Sequence, residues 1–414
     1  MKALTFNVTP WIWLRARALA GLAGANVFWG RPGGLRLREV EPPSLPGDGW
    51  VLCRTRLGGI CGSDLAMVRL AQPPDSLLQA FTSMPLIGGH ENVAQVVRTH
   101  SPADQAWIGR RVCVEPTLAC AARGIEPPCR RCAAGEFGAC ESFGAAGQGR
   151  FSLPAGTSIG YNRVTGGAWG EYFAAHVSQL VEAPDALSDE QAILTDPLAC
   201  SAHAVLRAEL ADVQAVAVLG GGILGLGVAA ALRAVGFTGR VDLFARHAFQ
   251  RELAGRLGAT EAFPERQAGD VDDVAARVGG SVLPVRFGRK ALVGGYDVTF
   301  DAVGSPATLN AALQLTRGRG QAVLLGTSAA MTLDTMPLWF RELTILGAYG
   351  RQSECWQGGR ISTYALVHQW LTEGRLTTDG LLTHTFALAD YRAAFRTAAA
   401  KADTGCVRAA FDFR

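Results

Sequence analysis

The string "AVAVLGGGILGLGVAAALRAVG", residues 215–236, sets Gly220-x-Gly222-x-x-Gly225 between a run of five apolar residues and an apolar stretch of helical character. A strand that turns through glycines directly into a helix opens a βαβ unit. The first glycine makes the tight turn, the second lets backbone approach a pyrophosphate, and the third lets the helix close on the strand. The helix start, at Ile223 and Leu224, offers free N–H groups and partial positive charge to phosphates. The alternation continues through "RVDLFA", "FQRELAGRLGA", "YDVTFDAVG", "ATLNAALQLT" and "QAVLLGT", which requires a parallel sheet covered by helices on both faces.

The rest of the chain has another texture. At 414 residues it exceeds the roughly 250–300 at which one core stops growing, so more than one domain is expected. Up to about residue 185, runs such as "GWVLCRTRLGGICG" and "NVAQVVRTH" are bounded by Gly and Pro, the pattern of a mainly β domain. The expected α/β architecture is therefore a β-rich domain over 1–185, a doubly wound dinucleotide-binding domain over 186–341, and a segment 342–414 that ends in a short strand, "CVRAAFDF". Residues 11–29, "WIWLRARALAGLAGANVFW", are apolar, but Arg15 and Arg17 interrupt them and their length is marginal for a membrane span. They are read as an insertion packed on the body or on a subunit partner, with a membrane-surface helix as the alternative. For a second insertion, residues 279–295, the sequence supplies no role.

The residue that ends the second strand of such a unit reads the adenosine ribose, and NAD enzymes place Asp or Glu there. Here the position falls on Ala245, followed by Arg246 and His247. Alanine leaves room for a 2′-phosphate and arginine offers it a bidentate cation, so NADP is favoured. A solvated Arg246 and an enzyme that takes NAD, or both carriers, is the competing reading, since Asp242 lies close enough to blur the register.

At 49% apolar, 18% charged and a formal net charge of +3, the chain is of the soluble globular class, with no basic run to suggest a nucleic-acid partner. Ten cysteines are too sparse for a disulfide scaffold, and "MKALTFNV" lacks the pattern of a secretory signal, so reduced thiols in a cytoplasm are expected. Four of the ten, Cys120, Cys129, Cys132 and Cys140, lie within twenty-one residues at metal-site spacing. Elsewhere "GGICGSDLA" holds Cys61, Ser63 and Asp64, "GGHENV" holds His90 and Glu91, and "LTDPLACSAHA" holds Asp196. A thiolate, an imidazole and a carboxylate leave a fourth zinc position open, as catalytic sites do.

Cys61-Gly-Ser63-Asp64, Gly89-His90-Glu91 and Asp196-Pro197-Leu198-Ala199, with the glycine turn and the cysteine cluster, make the chain resemble the zinc-dependent medium-chain alcohol and polyol dehydrogenases over nearly its whole length. The resemblance implies a discontinuous GroES-like catalytic domain, to which 342–414 returns, plus a Rossmann coenzyme domain. It also implies Cys61, His90 and Asp196 as zinc ligands, Glu91 as an exchanging fourth ligand or its neighbour, and Asp64 as acceptor from the far nitrogen of His90. Polyol members usually carry Glu where this chain has Asp196; the shorter side chain leaves direct ligation shared between Asp196, Glu91 and a bridging water. The family's structural-zinc lobe, here about 113–145, has spacing C-x2-C-x2-C-x7-C, whereas this chain stretches the first gap to eight residues. Four thiolates fill a tetrahedral Zn²⁺ and exclude substrate, so this metal would be structural. Unligated thiols are the alternative, and Cys113 is a rival first ligand or a core residue.

The implied reaction is hydride transfer between an alcohol, or its ketone or aldehyde, and the nicotinamide, with zinc as a Lewis acid on the substrate oxygen. Ser63 would take the proton, or else cap a helix starting at Asp64. Some relatives carry His three residues after that Ser; this chain has Ala66. Segments 70–85 and 160–173 are expected to wall the substrate site, and a homo-oligomer is expected. A zinc-free double-bond reductase and a non-catalytic cofactor sensor are the competing readings.

Overall fold

Six parallel strands carry the glycine turn in the computed structural model, which describes residues 1–327 and 329–414. Their spatial order is Glu261–Pro264, Arg240–Ala245, Ala215–Leu219, Tyr296–Asp301, Thr316–Leu324, Thr344–Gly347. Numbered along the chain this is 3-2-1-4-5-6, the doubly wound order in which ligands bind where the strand order reverses. Here the reversal falls beside Ala215–Leu219, the strand that feeds the glycines. That strand is buried along its whole length, which explains its unbroken apolar sequence.

A second sheet of seven strands is mainly antiparallel. Trp50–Ile60 lies at its centre, flanked by Arg408–Asp412, Asn92–Thr99 and Tyr172–His176. A smaller sheet joins Leu35–Glu39, Lys2–Phe6 and Leu86–Ile87. The two sheet systems belong to separate units: Met1–Asp196 with Arg351–His368 and Leu381–Arg414, and Pro197–Gly350 with Gln369–Gly380.

The boundary expected at 185 thus moves to Asp196. The turn Asp189–Ala192 is tied to the β-rich strands: Asp189 accepts from Arg56 Nε (2.8 Å) and Arg111 Nη1 (3.1 Å), and Cys113 Sγ donates to the Ala192 carbonyl (3.3 Å). The C-terminal segment also divides differently, since residues 342–350 and Gln369–Gly380 group with the parallel sheet. Its final strand pairs antiparallel with Trp50–Ile60, with Ala409 opposite Ile60.

The first insertion folds as a helix, Pro10–Ala23, capped by Thr9 and followed by the turn Asn26–Trp29. Trp13, Ala16 and Ala20 join Val27, Phe28 and Trp29 in the core of the β-rich unit, where Trp29 stacks on Phe395. Residues 279–295 form a hairpin, Ser281–Pro284 with Lys290–Val293. Among the described residues no helix is long and apolar enough to cross a membrane.

Candidate active site and metal centres

The strand Trp50–Ile60 runs into Cys61, which caps the helix Gly62–Val68 and donates its N–H to Asp64 Oδ2 (3.0 Å). This removes the capping role considered for Ser63, because the helix starts one residue before it. The register that pairs Gly58 with Asn92 carries His90 and Glu91 alongside Cys61. Gly59 is required at this crossing, since a Cβ there would run into the Glu91 carboxylate.

Metal-ligating atoms of Cys61, His90 and Glu91 all lie within 4.8 Å of one another. The buried Asp64 accepts from His90 Nδ1 (3.1 Å), leaving Nε2 for a metal. Burial opposes charge on His90, but the Asp64 carboxylate and the Cys61 thiol carry it well above the usual imidazole range. Burial likewise opposes a Cys61 thiolate; His90 and Arg408 outweigh it and bring the thiol down to about 6. Burial pushes the Glu91 carboxyl up against the pull of Arg408, whose Nη2 lies 3.2 Å from Oε1. Neither Glu91 oxygen has a hydrogen-bond partner among the described residues. A soft thiolate, a tautomer-fixed imidazole and a carboxylate with spare lone pairs suit Zn²⁺.

Asp196 stands outside that group, contrary to the expectation of direct ligation. Its Oδ1 accepts from Arg351 Nε (2.9 Å) and Nη2 and from the Tyr364 hydroxyl (2.6 Å), in a buried pocket that Glu115 also borders. Two residues 155 and 168 positions downstream thus supply three donors to one oxygen of this carboxylate.

Three further site residues escaped the sequence reading. Tyr161, within one of the segments expected to wall the site, brings its hydroxyl to 3.2 Å from Ser63 Oγ and 3.1 Å from Asp64 Oδ1, with its ring beside that of His90. The Tyr161 carbonyl and the Arg163 N–H bond to Ser83, joining the segment to residues 70–85. Arg408 donates to the Ile60 carbonyl (2.8 Å) and faces Glu91. Arg351 holds Asp196. An arginine in "GRQ" or "CVRAA" has no local mark of burial, so only sheet pairing and chain return reveal these roles.

Cys120, Cys129, Cys132 and Cys140 also bring their sulfurs within 4.8 Å of one another, with Cys120–Cys140 at 3.7 Å and Cys129–Cys140 at 4.0 Å. A tetrahedral Zn²⁺ with Zn–S bonds of about 2.3 Å sets its thiolates about 3.8 Å apart. Backbone N–H groups of Cys132 and Glu141 point at Cys129 Sγ (3.5 and 3.4 Å). Against burial, they help bring that thiol down to about 6. Cys113 is no rival, being buried in a strand with its thiol pushed up to about 12 by burial. The long first gap opens on a helical turn, Cys120–Arg123, whose buried Arg123 donates to the carbonyls of Leu118, Ala145, Leu153, Pro154 and Gly156.

In the other unit Gly222 caps the helix Ile223–Ala234, so Ile223 and Leu224 form its first turn. A side chain at Gly225 would collide with the Gly220 carbonyl, whereas one at Gly222 would meet nothing. Gly220 turns with φ +105°, and among the described residues no side chain hydrogen-bonds to cap the helix start. Ala245 ends its strand, buried. Asp242 is not the ribose reader: buried, it accepts from Tyr296 (2.6 Å) and Arg240 (2.9 Å). Arg246 pairs with Glu265 (2.8 Å), an acid that the sequence reading passed over, and His247 leads into the helix Ala248–Arg256 and stacks on Phe249.

Two family descriptions match the chain, the alcohol dehydrogenase GroES-like domain over residues 47–185 and the zinc-binding dehydrogenase over 224–364, together more than half its length. The L-idonate 5-dehydrogenase of Vitis vinifera is 27% identical over 373 residues, 88% of this chain and 90% of its own. An L-threonine 3-dehydrogenase of Aliivibrio fischeri is 27% identical over 384 residues, 92% and 95% of the two chains. The solved structure of a zinc-binding dehydrogenase from Sinorhizobium meliloti bound to NADP has the same fold, with TM-score 0.69, 24% identity and coverage of 91% and 96%.

Proposed function

Since the chain belongs to the zinc-dependent medium-chain dehydrogenase family, we propose that it transfers hydride between a small-molecule alcohol, or the matching ketone or aldehyde, and a nicotinamide cofactor. The observation that carries this reading is the convergence of Cys61, His90 and Glu91, with Ser63 beside them. These three would hold the catalytic zinc, and the four lobe cysteines a structural one. When bound, the catalytic metal would supply Lewis acidity toward the substrate oxygen.

The chain's own residues divide the remaining work. Ser63 acts as a relay: in oxidation its Oγ accepts the substrate hydroxyl proton as its own hydroxyl proton passes on to solvent, and in reduction both transfers run in reverse. Tyr161 and Asp64 fix the orientation of that hydroxyl, while Asp64 also holds the His90 tautomer. Arg408 offsets the buried charge of Glu91. Gly220, Gly222, Gly225 and the helix start receive the pyrophosphate. NADP is the favoured carrier because Ala245 is not acidic and Arg246 follows it. Glu265, already paired with Arg246, opposes a 2′-phosphate and keeps NAD in use. A homo-oligomer in the cytoplasm completes the reading.

Metal analysis and a cofactor-coupled screen test it together, over primary and secondary alcohols, polyols and cyclic alcohols with both carriers. Two zinc ions per chain and turnover of at least one alcohol are expected. Zero zinc with reduction of activated double bonds would favour the zinc-free reductase, and silence on every substrate would favour a cofactor sensor.

A further inference from the structure

The helix Pro10–Ala23 has two unlike faces. Trp13, Ala16 and Ala20 turn into the core, whereas Trp11, Leu14 and Leu22 are 80%, 54% and 88% exposed. With Ala18, these three follow one another at spacings of three, four and four residues, which lines them up along the outer side of the helix. Arg15 lies on the same stripe and the exposed Leu19 beside it. A run of large apolar side chains on the outermost line of an inserted helix marks an interaction surface.

Charge indicates what covers it. The first thirty-eight residues contain Lys2, Arg15, Arg17, Arg31, Arg36 and Arg38 and no Asp or Glu. Guanidinium groups here turn to main-chain carbonyls: Arg15 to Pro32 (3.0 Å), Arg17 to Leu70 (3.2 Å), Arg36 to Gly33 (2.8 Å) and Arg392 to Trp29 (3.3 Å). They crowd one another as well. Burial lowers the Arg36 pKa, and Arg15, Arg38 and Arg392 lower it further, against the opposing effect of Tyr391.

A second copy of this chain fits poorly, because two-fold pairing of the stripe would bring the arginines of both copies together. A nucleic acid would match the arginines but leave Leu14 and Leu22 in water. An anionic lipid surface matches both features, with Trp11 at headgroup depth, the leucines below it and the cations on the headgroups. We propose that the outer face of the Pro10–Ala23 helix, with the exposed cations Arg15, Arg31 and Arg38 of the same N-terminal segment, docks this protein peripherally on a membrane surface rich in anionic lipid.

The full-length protein is floated with vesicles of phosphatidylcholine alone, or of phosphatidylcholine with about 30 mol % phosphatidylglycerol. We expect about ten-fold more protein on the anionic vesicles, falling as salt is raised to about 0.5 M. Trp11→Ser/Leu22→Ser should lose about ten-fold of that binding while keeping wild-type thermal unfolding and metal content, and Arg15→Ala/Arg38→Ala should lose the preference for anionic lipid. Absence of wild-type binding, equal binding to both vesicles, or wild-type binding by the Trp11/Leu22 variant overturns the proposal. So does a dimer that this variant converts to monomer without any vesicle binding, or duplex-DNA binding that only the arginine variant loses.

Discussion

Tyr161 Oη lies 3.2 Å from Ser63 Oγ, and the same hydroxyl is 3.1 Å from Asp64 Oδ1. The Asp64 carboxylate is the stronger acceptor, so the phenol proton points to it and a phenol lone pair faces the serine. Ser63 then holds one hydroxyl orientation in place of three. Tyr161→Phe keeps the ring against His90 and removes this restraint together with the bond to Asp64, which still holds His90 Nδ1 and the Cys61 N–H. Turnover with an alcohol found by the screen should fall about ten- to hundred-fold, with KM changed far less and zinc content intact. In a Ser63→Ala background the same change should have no further effect. Independent, multiplying losses in the double variant would show that Tyr161 does not act through Ser63.

Asp196 gives a second test, because the motif Asp196-Pro197-Leu198-Ala199 reads as a ligand motif in sequence and yet its carboxylate is engaged by Arg351 and Tyr364. Asp196→Asn should therefore retain the same zinc content as wild type by elemental analysis, whereas Cys61→Ser should lose one equivalent. A zinc deficit in the Asn variant would place Asp196 among the ligands.

The Arg351–Asp196 pair also predicts an acid limb. Burial raises the Asp196 pKa, but Arg351, His90 and Tyr364 together hold it below the ordinary carboxylate value. A depressed folded pKa adds stability that is present above the unfolded value, about 3.9, and is lost as pH falls through the folded one. Arg351→Met leaves a buried, uncompensated carboxylate and should destabilise the protein by roughly 3–5 kcal/mol near neutral pH. Denaturant unfolding should show that deficit shrinking as pH is lowered. A deficit that stays constant with pH would mean that packing, rather than charge, holds Arg351.

These residues also mark what the sequence discloses. The glycine turn, the cysteine cluster and the pairs Cys61–Asp64 and His90–Glu91 are legible because each is local, with ligands and turn residues at short fixed spacings. Arg408, Arg351 and Tyr364 approach the site from 155 to 348 positions away, through strand pairing and chain return that no window reveals. That is also why Asp196 reads as a ligand in sequence: its counter-charge lies in a different part of the chain. Arg123 is hidden for the same reason, since it ties five carbonyls together inside the lobe through bonds that reach as far as Gly156, 33 positions away.

That lobe should fail as a staple before it fails as chemistry. Cys132→Ser removes one of four clustered sulfurs. Zinc content should drop by one equivalent and the unfolding midpoint should fall, by roughly 2–4 °C for each kcal/mol lost. Residual folded enzyme should keep turnover near wild type. A variant that keeps its unfolding midpoint and both metals but loses turnover would move the cysteine cluster into the reaction.

Carrier choice turns on the pair Arg246–Glu265. Arg246 is largely exposed, and its Nε donates to Glu265 Oε2 at 2.8 Å. A 2′-phosphate must either displace that carboxylate or approach beside it, so Glu265 penalises NADP while Arg246 attracts it. Glu265→Gln removes the repulsion and leaves Arg246 free, and should raise the ratio of kcat/KM for NADP over NAD by about ten-fold. Arg246→Ala should lower the same ratio by a similar factor through KM for NADP, with kcat on NAD unchanged. If both substitutions leave the ratio where it was, the ribose end of the cofactor is read by other residues, and neither side chain sets the preference.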